Sequence, residues 1–324
     1  MTSLPNSSSV RPAPTEGGAF TRFRRKARLA FHLGPFRFVL VFLYACLRKL
    51  TSVFPPWVRE SHELIETLHG GDATLESVAG GLAVEYQTAL AGRVRCNLRP
   101  STTDVLVWQD VIVREQYGPV VRIVRESTGL EPRTIIDAGA NCGLASLYLA
   151  HCFPHARVLA LEPDPANFAA LTGNVRLATR IDPLCAAFWP RPEFLALDGS
   201  FRDSREWSRR VRAQASPEGP SLSVVTPGNA LERLRTPRCD ILKMDIEGGE
   251  APFFADEATA RALLEAARVV AIEVHPEFVD PTVVYAALHA CGFCTRTAGE
   301  LVIGVHESIL LDAHRSGLSI ERVT

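Results

Sequence analysis

The stretch "TIIDAGANCGLASL", residues 134–147, decides the fold. An apolar run stops at Asp137, small residues follow, and a second apolar pattern begins after Gly143. A β-branched run, a glycine-rich bend and a helical pattern make the strand–turn–helix opening of an α/β sheet. Ligands of such sheets sit at the carboxyl ends of the strands. A bend this poor in side chains therefore marks where a nucleotide-type ligand would meet the backbone.

Downstream, strands and helices alternate. "ARVLALEP" (156–163), "IDPLCAAFW" (181–189), "CDILKMDIEG" (239–248) and "RVVAIEVHP" (268–276) read as core strands two to five. "GLASLYLAHCF" (143–153), "PANFAALTGNVRL" (165–177) and "PTVVYAALHACG" (281–292) read as helices, and "FCTRTA" and "LVIGVH" as closing strands. Residues 191–225 form an excursion with "EFLAL" and "LSVVT" as hairpin strands, and "REWSRRVRAQ" (205–214) reads as a solvated basic helix. Its alternative is contact with a sugar or an anionic substrate.

Upstream, residues 58–92 show two helical patterns broken at "HGGD" and "AGGL". Residues 94–124 look strand-like, because Val105, Val107, Val111 and Val113 alternate in "VLVWQDVIV". The expected division is a disordered tail over 1–20, a basic and apolar helix over 21–57, a helical and β extension over 58–130, and the α/β domain over 131–324.

The N-terminal block pairs "RFRRKAR" (22–28), with five positive charges, with the uncharged "FVLVFLYACL" (38–47). Ten residues are too few to span a bilayer, and no small-x-small cleavage site follows. A helix packed on the protein and membrane-surface contact through residues 22–47 are the main readings, with a transmembrane anchor as the third. The expected location is cytoplasmic, peripheral at the inner membrane face in the second case. Bulk composition narrows the class further. With 47 % hydrophobic and 22 % charged residues, a chain of 324 can bury a large core. A net charge of −1 argues against a nucleic-acid partner. Of eight cysteines only Cys291 and Cys294 have CxxC spacing, and a zinc ribbon needs two such pairs.

Polar residues collect at the strand ends: Asp137 and Gly139, Glu162, Asp245 and Glu247, then Glu273 and His275. A dinucleotide turn reads GxGxxG, and its middle glycine lets pyrophosphate approach the backbone. Here Asn141 takes that place between Gly139 and Gly143. A side chain there obstructs pyrophosphate and disfavours a nicotinamide-dependent oxidoreductase, the alternative enzyme class. It tolerates S-adenosylmethionine, which has an amino-acid end and no phosphate. Asp137 could receive the ammonium, and Glu162 the ribose hydroxyls. A tight turn with a capped helix is the plain structural alternative.

"IIDAGANCGLASLYLA", "LEPDPANFAAL", "PLCAAFWP", "DILKMDIEGGE" and "AIEVHPE" occur in this order and spacing. As a set they resemble the FkbM-type S-adenosylmethionine-dependent methyltransferases, over roughly residues 100–310. The resemblance implies a Rossmann-like, mostly parallel seven-stranded sheet with the last strand antiparallel. It implies methyl transfer, usually to a hydroxyl of a sugar or natural product, and it sets Asp137, Gly139, Asn141, Gly143 and Glu162 at cofactor positions.

In "KMDIEGGE", Lys243, Asp245 and Glu247 share one face of a strand, and "EVH" places Glu273 and His275 likewise. An alcohol benefits from a positioned base. His275 is the expected base, with Asp245 orienting its ring and Lys243 and Glu273 positioning the acceptor. Buried pairing of Lys243 with an acid is the alternative for that residue. A divalent metal on Asp245, Glu247, Glu273 and His275 is the alternative for the cluster. A catalytically silent module remains the third functional class. Acceptor identity and oligomeric state are not legible.

Overall fold

Apolar residues that alternate between two faces build the central sheet. The computed structural model describes residues 26–27, 29, 32–33, 35–46, 56–70, 72–198, 210–215 and 221–310. Helices α1 (Pro35–Cys46) and α2 (Pro56–Gly70) lead into an antiparallel sheet of β1 (Ala73–Val78), β2 (Gly81–Gln87) and β3 (Arg93–Leu98). Helix α3 (Asp104–Trp108) runs into a π-helical turn, Gln109–Val113, and α4 (Gly118–Ser127) follows. The α/β part then begins: β4 (Thr134–Ala138), α5 (Leu144–Cys152), β5 (Arg157–Leu161), α6 (Pro165–Val175) and β6 (Ile181–Leu184). An excursion holds β7 (Ala187–Phe188), β8 (Leu195–Asp198), β9 (Arg210–Ala213) and β10 (Val224–Val225). After α7 (Pro227–Leu234) come β11 (Cys239–Met244), α8 (Glu257–Glu265), β12 (Ala267–Glu273), α9 (Pro281–Ala290), β13 (Phe293–Ala298) and β14 (Leu301–His306).

The main sheet has the order β13-β14-β12-β11-β4-β5-β6. Its strands are parallel except β14, which is antiparallel to both neighbours. This is the Rossmann-like seven-stranded arrangement expected, antiparallel last strand included. The chain winds outward from β4 to β6, then returns to β11 on the other side of β4. Strand order therefore reverses between β4 and β11, which is where such sheets open a ligand crevice.

Alternation fills both faces. Ile135, Val158, Ile241 and Val269 pack toward α5, α6 and the N-terminal elements. Ile136, Leu159, Leu242 and Val270 pack toward α7, α8 and α9. Each fully buried Leu or Ile contributes about 1.5–3 kcal/mol, so the two layers hold the strand tips that form the site.

Four local expectations are corrected. Residues 73–87 are a hairpin and not a helix: Gly80 takes φ +85° in a two-residue loop, and the flanking strands pair from Ala73 with Tyr86 to Val78 with Gly81. Residues 105–113 are helical and not a strand. The alternating valines also fit a helical period, with Asp104, Val105, Trp108, Val111 and Ile112 on the buried side. The strand containing "EFLAL" pairs with β9, and β10 pairs in parallel with β7, so these two segments do not form one hairpin. The described end of the basic stretch, 210–213, is extended and not helical. Its residues 205–209, and the expected tail over 1–20, lie outside the described residues. Among those described, no helix is long and apolar enough to cross a membrane.

Candidate active site

The bend after β4 is held open by backbone geometry. Gly139, Asn141 and Gly143 all have positive φ, at +76°, +50° and +86°. A Cβ on Gly139 would lie 1.8 Å from the carbonyl oxygen of Asp245. Only glycine lets the tips of β4 and β11 meet so closely. Gly143 answers a different need, since a Cβ there would lie 2.7 Å from Leu171 Cδ1. It serves helix packing, and the structure does not bring it to the ligand side.

Glu162, at the tip of β5, reaches back to this bend. Its Oε2 accepts from the Asn141 amide at 2.8 Å and its Oε1 from the Asp164 amide at 2.9 Å. Burial raises its pKa to about 7, although those two amides pull the other way. The Asn141 Oδ1 atom is buried without a hydrogen-bond partner. Buried polar atoms are nearly always paired, so this oxygen is suited to receive a ligand donor.

Asp137 and Lys243 face each other because register sets them side by side on β4 and β11. Lys243 Nζ lies 3.1 Å from Asp137 Oδ1 and donates to the Gly139 carbonyl at 2.6 Å. Ser146 donates to Asp137 Oδ2 at 2.6 Å. Burial would lower the lysine pKa, but the charges of Asp137 and Asp245 hold it above its ordinary range. Asp137 is fully buried. It offers no open face to a ligand ammonium, so that expectation is corrected: it anchors the lysine that staples the bend.

Beyond β11 and β12 the acids converge on His275, which is 1 % exposed. Its Nδ1 is 3.2 Å from Glu250 Oε1, and its Nε2 is 3.4 Å from Glu247 Oε2 and 4.0 Å from Glu273 Oε1. Burial would lower its pKa, but the carboxylates of Glu247 and Glu250 outweigh this and lift it to about 11. An imidazole so placed holds its proton more tightly than a free one, which argues against His275 as the base. The orienting carboxylate is Glu250, not Asp245, which instead lies 3.8 Å from Lys243 Nζ. The pKa of Asp245 is raised by burial, and that of Glu273 by the charge of Asp245 and by burial. Glu247 has φ +54°, a strained conformation that turns its carboxylate inward.

Two adjoining cavities open here. The smaller, about 50 Å³, is lined by Gly139, Asn141, Glu162, Phe188, Trp189 and Asp245, among others. The larger, about 440 Å³, shares Gly139, Asn141, Asp245 and Glu247 with it and adds Tyr117, Lys243 and Glu273. Sequence reasoning did not single out Glu250, Tyr117, Phe188 or Trp189. The aromatic pair after "PLCAA" was a readable signal, since it follows a core strand, although 187–188 pair with β10 and do not continue that strand. Tyr117 was not, since it reaches the site from outside the α/β part.

Residues 137–294 match the family described as "Methyltransferase FkbM domain". "Methyltransferase sdnD" of Sordaria araneosa is 49 % identical over 43 residues, and "Methyltransferase 1" of Beauveria bassiana is 42 % identical over 43 residues. Each match covers 13 % of this chain and 17 % of the relative. Among solved structures, methyltransferase FkbM from Methylobacillus flagellatus KT is similar at 18 % identity and a TM-score of 0.36, over 54 % of this chain and 44 % of that one. The segment from the middle of β4 into β13 carries the bend, Glu162 and the acid cluster, and with it the chain carries a methyltransferase domain of the FkbM family.

Proposed function

We propose that the protein transfers a methyl group from S-adenosylmethionine to a hydroxyl of a small-molecule or glycan acceptor. One observation carries the reading: Glu162 and the Asn141 Oδ1 atom line one cavity at the switch point of the sheet, both with unused acceptor capacity. Glu162 gives one lone pair on each oxygen to an amide, which leaves two for the ribose hydroxyls. Asn141 receives a donor from the bound nucleoside or its amino-acid end. When bound, the cofactor supplies an electrophilic methyl on a sulfonium. The chain's own residues then orient the partners and manage one proton. Lys243 and Asp137 fix the bend, so alignment is set before the acceptor arrives. Glu273, at the tip of β12 in the larger cavity, stands in hydrogen-bond reach of an acceptor there and takes its proton.

Calorimetry with S-adenosylmethionine and transfer of labelled methyl to a panel of sugars and alcohols test this. Binding is expected in the parent protein and lost in Glu162→Ala. Glu273→Gln is expected to keep binding and to lower turnover about 10²–10⁴-fold. No binding at millimolar cofactor sinks the reading, and binding without transfer to any acceptor leaves a silent module.

A separate proposal concerns the N-terminus: α1 rests on an anionic membrane surface. Val39, Phe42 and Leu43 are exposed on that helix, one helical turn apart, while Val41 and Tyr44 are buried against the protein. Five positive charges over 22–28 and the pair Arg48-Lys49 flank it in sequence. A short apolar face with flanking basic charge complements acidic headgroups.

A further inference from the structure

We propose that Asp245, Glu247 and His275 form a mononuclear site for a divalent cation at the tips of β11 and β12. Its catalytic meaning rests on the methyl-transfer reading; the site itself stands on geometry. One donor atom from each of the three residues lies within 4.8 Å of the others. An octahedral ion with donors at about 2.1 Å needs neighbouring pairs about 3 Å apart, so side-chain rotations that move the donors by up to about 2 Å close the site.

The acids alone would not make this a site; His275 does. It is 99 % buried, and its Nε2 makes no hydrogen bond. Two carboxylates lie before that atom, Glu247 Oε2 at 3.4 Å and Glu273 Oε1 at 4.0 Å. The other ring nitrogen is held by Glu250, whose Oε1 also accepts from the Ile246 amide at 3.0 Å. A carboxylate behind the imidazole is the support that fixes the tautomer of a metal-ligating ring and aims its lone pair forward. Charge points the same way. Asp245, Glu247, Glu250 and Glu273 surround the ring, and the nearby Lys243 is closest to Asp137, at 3.1 Å. A divalent cation would displace the proton from Nε2 and set two positive charges among these acids in place of one.

One imidazole with two carboxylates suits Mn²⁺ or Mg²⁺ when oxygen donors complete the shell. Three protein donors leave positions for water and for oxygens of the acceptor. Asp245 and Glu247 line both cavities, so a cation here lies where acceptor and cofactor compartments join. It would draw electron density from an acceptor hydroxyl while Glu273 takes the proton.

The test is a Mn²⁺ titration of the full chain, read by the electron paramagnetic resonance of the free ion and by calorimetry, with S-adenosylmethionine binding measured on the same preparation. One Mn²⁺ per chain is expected, removable by chelator. Affinity should fall at least about tenfold in Glu247→Gln and in His275→Ala. Should His275→Ala not fold, by circular dichroism, Glu247→Gln decides alone. Cofactor binding without any Mn²⁺ binding overturns the cation site and spares the methyl-transfer reading; Mn²⁺ binding without cofactor binding does the reverse. Equal Mn²⁺ affinity in parent and variants means adventitious surface binding and also overturns the site.

Discussion

Lys243 is a buried cation whose nearest carboxylate is Asp137, at 3.1 Å. Removing one member of a buried pair leaves an uncompensated charge and costs about 3–5 kcal/mol. Lys243→Met should therefore lower stability by that amount in denaturant unfolding, and Asp137→Asn added to it should recover part of the loss. If the double variant is no more stable than the single one, the pair is not what Lys243 serves. Glu162 makes a prediction in pH. Its folded pKa is about 7 against an ordinary 4.5. A raised carboxylate pKa means that the folded state holds a proton more tightly than the unfolded one. The stabilisation is complete below 4.5 and fades as pH climbs through 7, by up to ~3 kcal/mol. Ligand hydroxyls donate to the ionised form, so S-adenosylmethionine affinity should move the other way. It should rise about tenfold between pH 6 and pH 8, with proton release on binding seen in buffers of different ionisation enthalpy. Glu162→Gln should flatten that profile.

Among the elements, the core strands and their order of polar tips were readable because burial on both faces leaves long apolar runs. Glu162 was readable too, since it lies about twenty residues past the bend. The hairpin over 73–87 was not: Ala79-Gly80-Gly81 breaks a helix and turns a hairpin equally well. Alternation over 105–113 misled because four valines matched a strand, while the spacing from Trp108 to Ile112 carried the burial. The protonation of His275 was out of reach for another reason. Its partners come from three chain positions, Glu247, Glu250 and Glu273, and a histidine pKa follows distances that one strand's sequence does not contain. The role of Glu250 belongs to the same class of contact, made across 25 residues.

At the scale of the molecule, three layers hold the site and an appended sheet and two helices stand before them. The proposed membrane contact through α1 belongs to that outer part. The full chain should pellet with phosphatidylserine vesicles and not with phosphatidylcholine vesicles, and less so as salt rises. Phe42→Asp should abolish pelleting while leaving S-adenosylmethionine binding intact. Pelleting unchanged by Phe42→Asp would assign any binding to another surface.

The segment that matches the family runs from Asp137 to residue 294. Asp137 is the fourth residue of β4, and Cys294 is the second of β13. Cut at those points, the sheet would lose most of β4, an inner strand, and β12 would lose β14, the neighbour that covers its outer edge. Val107, Val111, Gln116 and Tyr117, which wall the larger cavity, would also be gone. What is inherited as a recognisable unit is thus smaller than what can stand alone, and an expression fragment of this protein should be trimmed to intact strands and not to the limits of resemblance.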